Sequence, residues 1–342
     1  MKLMNSIKAG LVFLSYQFKF SKLPYSPRIV YIEPTNICNL QCVMCPEGRM
    51  TKYRKRTQMD MDLFEKILNQ LKEIKPLIVS FHLSGEPLLN KNLPLMVKKV
   101  KEIGIDTNFS SNGMLLDKET AEKLIDAQLD LIRIDFYSDK EKFESLRKGA
   151  KWETVRDNIK QLIELKKEKK SHKPMILIQS LRFKNEDPTD NSEVENIKKI
   201  FPELDSGNVV VFEAHSFSGE FADDTKEDER FKVDRDPSKY YPCRHAWGGI
   251  AITCNGTVVP CCRDILGSYV LGNVNENTIM EIWNGEKFTE LRRLQAEGKY
   301  DQITLCKNCT ALWEGFKPTH LIINHFKKML RFHKERKKAM MK

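Results

Sequence analysis

The run Glu33-Pro-Thr-Asn-Ile-Cys-Asn-Leu-Gln-Cys-Val-Met-Cys-Pro46 contains Cys38, Cys42 and Cys45 in the spacing C-x3-C-x2-C. A cubane [4Fe–4S] cluster takes one thiolate per iron, so three cysteines leave one iron open to another ligand. A zinc site is the alternative, but zinc normally takes paired C-x2-C or Cys/His sets, and no such partner stands near the run. Because the run follows an extended stretch at residues 28–33, it predicts an iron–sulfur cluster in a loop after a first strand.

The size and composition of the chain indicate a soluble cytoplasmic protein. Its 342 residues allow one large domain or two unequal ones, and 30% of them are charged. No apolar run reaches the roughly 18 residues of a membrane span. An interrupted apolar patch predicts an amphipathic N-terminal segment over residues 1–27 rather than a signal peptide. Nine cysteines without a secretion signal favour a reducing cytoplasm, where grouped thiols bind metals.

The formal net charge of +10 is concentrated at the C-terminus. Residues 326–342 hold eight Lys or Arg against one Glu, which leaves a charge of +3 for the rest of the chain. The basic tail, residues 313–342, is predicted to be either a solvated terminus or a segment that contacts an anionic membrane or a partner. The body of the protein is not a polycation, so no nucleic acid is expected as a partner.

Strand-like and helix-like stretches alternate through about six units over residues 28–216. Residues 60–75, for example, have apolar side chains at helical spacing, with Asp60 or Asp62 placed to cap the helix, and a strand follows at residues 77–83. Such alternation requires a mostly parallel sheet covered by helices. The predicted fold class is therefore α/β, a partial (β/α)6 TIM-like barrel with a small C-terminal cysteine-rich domain.

The alternation ends near Ser216. Residues 217–240 are polar and acidic, which predicts a linker, and a second domain is expected over residues 241–312. Within it, Asn255-Gly256 predicts a hairpin turn. The domain contains the remaining six cysteines, Cys243, Cys254, Cys261, Cys262, Cys306 and Cys309.

The cysteine run and the β/α pattern together resemble the radical S-adenosylmethionine (SAM) superfamily. Ser84-Gly-Glu-Pro87, after the second strand, resembles the Gly-Gly-Glu-Pro motif of that family, with serine for the first glycine. The resemblance implies that Cys38, Cys42 and Cys45 hold a [4Fe–4S] cluster coordinated with exchangeable SAM. It also implies that Glu86 binds the SAM ammonium. In the family, an electron from the cluster cleaves SAM, and the 5′-deoxyadenosyl radical removes a hydrogen atom from the substrate.

Two further stretches carry the resemblance towards SAM binding. Ser110, Ser111 and Asn112 follow the third strand and resemble a Thr-Asn-Gly stretch whose side chains face SAM in relatives. The alternative is an ordinary strand-to-helix turn. The position before the third cysteine is often aromatic in the family and is Met44 here, a flexible side chain that can fill the same space.

A polar stripe on the fourth strand predicts a cavity. Alternation places Arg133, Asp135 and Tyr137 on one face of a strand that should be buried on both faces. Asp135 falls where relatives often read Ser-x-Asp. Three more polar residues at strand ends are predicted to line the same cavity, unless they are ordinary polar residues there: Gln179, Glu213 and His215. Asp135, Glu213 and His215 are the catalytic candidates, and Gln179 is expected to contact the cofactor.

The C-terminal cysteines resemble the SPASM or shorter twitch extension of radical SAM enzymes, which holds one or two auxiliary [4Fe–4S] clusters. Two fully ligated clusters need eight thiols and six remain, so one auxiliary cluster is expected. The cysteines that match the twitch spacing are Cys243, Cys261, Cys306 and Cys309. Cys254 and Cys262 are left without a role, and a ribbon-like zinc site is the alternative on geometry alone.

The resemblance implies a radical SAM oxidoreductase, similar to dehydrogenases, that oxidises or otherwise modifies a carbohydrate-like or other small substrate. A fully ligated auxiliary cluster favours electron transfer and hence net oxidation. An electron donor such as flavodoxin or ferredoxin is expected as a partner. The alternative is a maturase of ribosomally made peptides, although the 27 residues before the first strand show no peptide-recognition domain. A second alternative is a non-enzymatic zinc protein whose tail binds nucleic acid.

Overall fold

A computed structural model describes residues 2–46, 53–183, 185–214 and 236–313, with the backbone alone for residues 2–9. Of the sequence predictions, His215, most of the expected linker and the basic tail from residue 314 onward lie outside the described residues.

Six parallel strands, β1 to β6, form the main sheet, and each pairs with the next along the chain. Their bounds are Ile29–Ile32, Ile78–Ser80, Asp106–Ser111, Leu131–Asp135, Met175–Arg182 and Val209–Glu213. The helices from the N-terminus to β6 are α1 to α7. Their bounds are Lys2–Gln17, Met61–Ile74, Leu93–Glu102, Lys118–Asp126, Lys140–Leu146, Trp152–Glu168 and Ser192–Ile200. The alternation confirms the prediction of an α/β fold built on a mostly parallel sheet.

Local signals explain most of these elements. Helix α2 begins after Asp60, whose carboxylate accepts a hydrogen bond from the backbone N–H of Leu63 at 2.8 Å. It ends at Lys75, which adopts the left-handed conformation. Helix α5 was not predicted, because its seven residues bury only Phe143 and so show no helical periodicity.

The C-terminal part continues the barrel sheet instead of forming a sheet of its own. It contains α8 (His245–Gly248), β7 (Gly249–Ile252), β8 (Thr257–Val259), β9 (Gly272–Asn273), α9 (Ile279–Trp283) and α10 (Glu286–Ala296). Strand β7 pairs in parallel with β1, so the strand order is β6-β5-β4-β3-β2-β1-β7-β8-β9. β7 and β8 are antiparallel around the turn at Asn255-Gly256, which confirms the predicted hairpin.

Helix α1 packs against the C-terminal part. Tyr16 lies edge-on to Trp247, with ring centroids 5.5 Å apart, and its hydroxyl donates to the carbonyl of Pro242 at 2.6 Å. The indole N–H of Trp247 donates to the carbonyl of Phe20 at 2.8 Å. α1 therefore joins the two ends of the described chain. Within the described ranges, no helix combines the length and the apolar character needed to cross a membrane.

Candidate active site

The cysteine loop (residues 38–45) follows β1 and is held in place by backbone hydrogen bonds to the last residue of α5 and to the segment that follows it. The N–H of Gln41 donates to the carbonyl of Lys148 at 2.9 Å, and that of Val43 donates to Leu146 at 3.0 Å. The three cysteines of the loop are half-buried. The unpredicted helix α5 thus leads into the backbone on which the loop rests.

Arg147 lies beside the cysteine loop and was not predicted from the sequence. One of its terminal nitrogens is 3.8 Å from Cys42 Sγ and 3.1 Å from a carboxylate oxygen of Asp135. The other oxygen of Asp135 accepts a hydrogen bond from Gln179 Nε2 at 2.7 Å. Burial raises the pKa of the Cys42 thiol, and the positive charge of Arg147 opposes that rise. The arginine therefore favours a negatively charged group at the loop.

The turn Ser84-Gly-Glu-Pro87 packs on residues 35–37, which lead into the cysteine loop. Gly85 has φ +69°, and a Cβ added to it would lie 2.5 Å from the carbonyl oxygen of Thr35 and 2.6 Å from that of Ile37. The N–H of Glu86 donates to the same Ile37 oxygen at 2.8 Å. Only glycine permits both the conformation and the close approach.

Glu86 is 2% exposed and connects the ends of β2 and β3. Its carboxylate accepts hydrogen bonds from Ser111 Oγ at 2.9 Å and from the backbone N–H groups of Asn112 and Leu88 at 2.8 and 3.1 Å. Asn112 Nδ2 in turn donates to Asn39 Oδ1 of the cysteine loop at 2.8 Å. Burial raises the pKa of Glu86 to about 7. A buried carboxylate that has no cationic partner among the described residues fits the ammonium group expected for SAM.

Some of the remaining predicted site residues lie in the barrel lumen, and others do not. Ser110 lies opposite Arg133 in the strand register, and Gln179 lies opposite Asp135, so these four share the barrel lumen. Glu213 is exposed at the end of β6. Tyr137 does not continue the polar stripe, because β4 ends at Asp135. Its ring is 1% exposed, and its hydroxyl bonds the backbone of Leu181.

The four cysteines predicted for an auxiliary cluster, Cys243, Cys261, Cys306 and Cys309, line one cavity. Gln295 borders the same cavity, where its side chain donates to Cys306 Sγ at 3.2 Å and accepts from the N–H of Cys243 at 2.8 Å. Burial and the proximity of the other thiols raise the pKa of Cys243 to about 12. Thiols in this setting ionise only beside a strong cation, which fits an iron–sulfur cluster.

In the part of the chain that the structure describes, no three His, Cys, Asp or Glu side chains are arranged to bind one metal ion.

Cys254 lies in a different, buried network that joins the C-terminal hairpin to the barrel. Glu33 is fully buried and ion-paired with Arg54, and it accepts hydrogen bonds from the hydroxyl of Ser84 and, at 2.9 Å, from the N–H of Cys254. Arg54 also donates to the carbonyl of Ile265 at 2.9 Å. Ser84 replaces the first glycine of the motif. Its hydroxyl donates a hydrogen bond to Glu33 that a glycine could not make. Nothing in the local sequence signals this network.

The comparisons with known proteins agree with this geometry. The model of the Radical SAM superfamily matches residues 32–179, and that of the SPASM iron–sulfur cluster-binding domain matches residues 243–310. The chain belongs to the radical SAM superfamily. This radical SAM enzyme has an α/β fold with a C-terminal SPASM-type domain, and the two matches imply a [4Fe–4S] cluster used with SAM and auxiliary iron–sulfur binding.

Individual relatives of the enzyme are distant but cover most of the chain. It is 24% identical to the tungsten-containing aldehyde ferredoxin oxidoreductase cofactor-modifying protein of Pyrococcus furiosus, over 82% of this chain and 87% of that one. It is 25% identical to the SAM-dependent 2-deoxy-scyllo-inosamine dehydrogenase of Niallia circulans, over 82% and 92%. The crystal structure of Streptococcus suis SuiB bound to precursor peptide SuiA matches with a TM-score of 0.60 and 18% identity, over 93% and 76%. That last match shows the fold alone.

Proposed function

We propose that Cys38, Cys42 and Cys45 hold the SAM-binding cluster and that Glu86 receives the amino group of SAM. The observation that supports this most directly is the hydrogen-bond network that links the buried Glu86 to the cysteine loop: Asn112 donates its backbone N–H to Glu86 and its side-chain amide to Asn39 of that loop. When bound, the cluster and SAM supply a 5′-deoxyadenosyl radical that removes a hydrogen atom from the substrate.

Charged side chains of the lumen lie close to that site. Arg147 contributes a positive charge against Cys42, and it holds Asp135 from one side while Gln179 holds it from the other. Asp135 is the catalytic candidate that we retain, as the acceptor of a substrate proton. Gln179, expected as a SAM contact, orients Asp135 in this arrangement, and Ser110 stays a candidate SAM contact on the neighbouring strand.

The auxiliary site bears on whether the net reaction is an oxidation or a reduction of the substrate. We propose that its four cysteines ligate all four irons of a second [4Fe–4S] cluster, which leaves no iron open to substrate and assigns the site to electron transfer. Electrons that leave the substrate then make the net reaction an oxidation, with a carbohydrate-like small molecule as the preferred substrate class. The similarity to a cyclitol amine dehydrogenase over 82% of this chain supports that preference. A flavodoxin or ferredoxin in the reducing cytoplasm would supply the first electron.

Anaerobic purification followed by SAM cleavage tests the proposal. Wild type should carry about eight irons per chain and release 5′-deoxyadenosine on reduction, whereas Cys38→Ala should not release it. Deuterium should pass into 5′-deoxyadenosine from a deuterated sugar or cyclitol; transfer from a ribosomal peptide instead would support the maturase alternative. Stoichiometric zinc without SAM cleavage would contradict the proposed function.

A further inference from the structure

Arg133 carries a positive charge into the barrel lumen, and the groups that it meets there are neutral. It lies on β4, where it alternates with the fully buried Ile132 and Ile134 and is itself half-buried. Its guanidinium donates to Asn108 Oδ1 at 2.8 Å. Across residues 2–46, 53–183, 185–214 and 236–313, no carboxylate forms an ion pair with Arg133.

Two acidic residues of this part of the fold, Asp135 and Glu33, are already paired with other arginines. Asp135, on the same strand face, is paired with Arg147 at 3.1 Å and hydrogen-bonded to Gln179 at 2.7 Å. Glu33, the residue directly after β1, is paired with Arg54. The lumen around Arg133 therefore keeps an uncompensated positive charge, which attracts an anion and repels a cation.

The side chains around Arg133 include groups that can form hydrogen bonds. The hydroxyl of Tyr31 and the thiol of Cys262 share a hydrogen bond, and both lie close enough to interact electrostatically with the guanidinium. His82, two residues beyond the end of β2, also lies nearby; its burial, followed by the charge of Arg133, lowers its pKa to about 4. Its imidazole is thus neutral at physiological pH and can donate one N–H. A guanidinium with a phenol and an imidazole is a donor set that suits a carboxylate or a phosphate.

The position of Arg133 separates it from the expected cluster of the cysteine loop. Arg147, not Arg133, is the arginine within 3.8 Å of a cysteine of that loop. Arg133 instead lies within electrostatic range of Tyr31 and Cys262, and Cys262 directly follows Cys261 of the auxiliary cavity. An anion on Arg133 would therefore lie towards the auxiliary thiols, on the side of the lumen where electrons are expected to leave.

We propose that Arg133, with Tyr31 and His82, forms a subsite for an anionic group of the substrate, a carboxylate or a phosphate. This proposal rests on the proposed function, because it describes the substrate of that reaction. It narrows the carbohydrate-like class to acidic molecules and excludes a substrate that presents an amine at this position.

Titration calorimetry of the full, cluster-loaded chain without SAM tests the subsite, with inorganic phosphate and acetate as separate probes. Arg133→Met is compared with Arg293→Met, which removes an exposed arginine of α10 that pairs with Glu290 and Glu297. Wild type and Arg293→Met should bind one of the two anions equally, and Arg133→Met should bind it at least tenfold more weakly. Arg133→Lys, which keeps the charge but not the planar fork, should recover part of the affinity.

The two probes identify which anion the subsite prefers. Equal binding by wild type and Arg133→Met would overturn the proposal. So would a larger loss of SAM affinity than of anion affinity in Arg133→Met, since it would assign the guanidinium to the carboxylate of SAM. The titration needs no turnover. Failure of the proposed function would appear as missing 5′-deoxyadenosine in wild type, and that measurement is separate from the anion titration.

Discussion

Replacing Gly85 with alanine tests whether the turn after β2 positions the cysteine loop. At φ +69° a non-glycine residue costs about 1–2 kcal/mol. The added Cβ would also lie 2.5 Å from the Thr35 oxygen and 2.6 Å from the Ile37 oxygen, both backbone atoms that cannot rotate away. The turn and residues 35–37, which lead into the cysteine loop, must then separate by roughly 1 Å to reach ordinary contact. A displacement of that size at a reactive site costs on the order of 100-fold in rate.

Gly104 provides a matched control. Its φ is +78°, and a Cβ added to it meets nothing within 4 Å, so Gly104→Ala carries the backbone cost without the collision. Urea unfolding should show a loss of about 1–2 kcal/mol in Gly104→Ala and a larger loss in Gly85→Ala. Anaerobic release of 5′-deoxyadenosine should stay at the wild-type rate in Gly104→Ala and fall about 100-fold in Gly85→Ala. Equal rates in the two variants would refute the reasoning.

Three further predictions concern the thiols and Glu86. Cys306→Ala should lower the iron content by about four per chain and abolish substrate oxidation while SAM cleavage persists; loss of cleavage would contradict separate sites. Cys254→Ser should keep the full iron content in the same analysis, because this cysteine lies against Glu33 and Arg54. In SAM-free protein, the pKa of Glu86 rises from 4.5 to about 7 on folding, so the folded state binds the extra proton and the unfolding free energy falls as pH rises between these values. Glu86→Gln should flatten that slope in thermal unfolding, and an unchanged slope would count against the assignment.

Local sequence patterns predicted most of the barrel. Helix α2 and its cap at Asp60 followed from apolar spacing and an acidic residue before it, both of which act within a few residues. The short helix α5 was missed because one buried phenylalanine gives no period. Arg147 was missed for a related reason. Its role is defined by its contacts with Cys42 and Asp135, and no local sequence pattern shows that these residues lie beside it.

The candidate site likewise has parts that short sequence motifs predict and parts that depend on the folded chain. The spacing of Cys38, Cys42 and Cys45 and the Gly85-Glu86 turn are short motifs, so the sequence by itself determined the family, the fold class and the identity of the expected ligands. Tertiary structure alone decided that β7 pairs with β1, that Ser84 binds Glu33 beside Cys254, and that Arg133 meets no carboxylate in the described part of the lumen. The physical reason is that pairing and charge compensation depend on side chains that only the folded sheet brings together, some of them more than 200 positions apart in the chain.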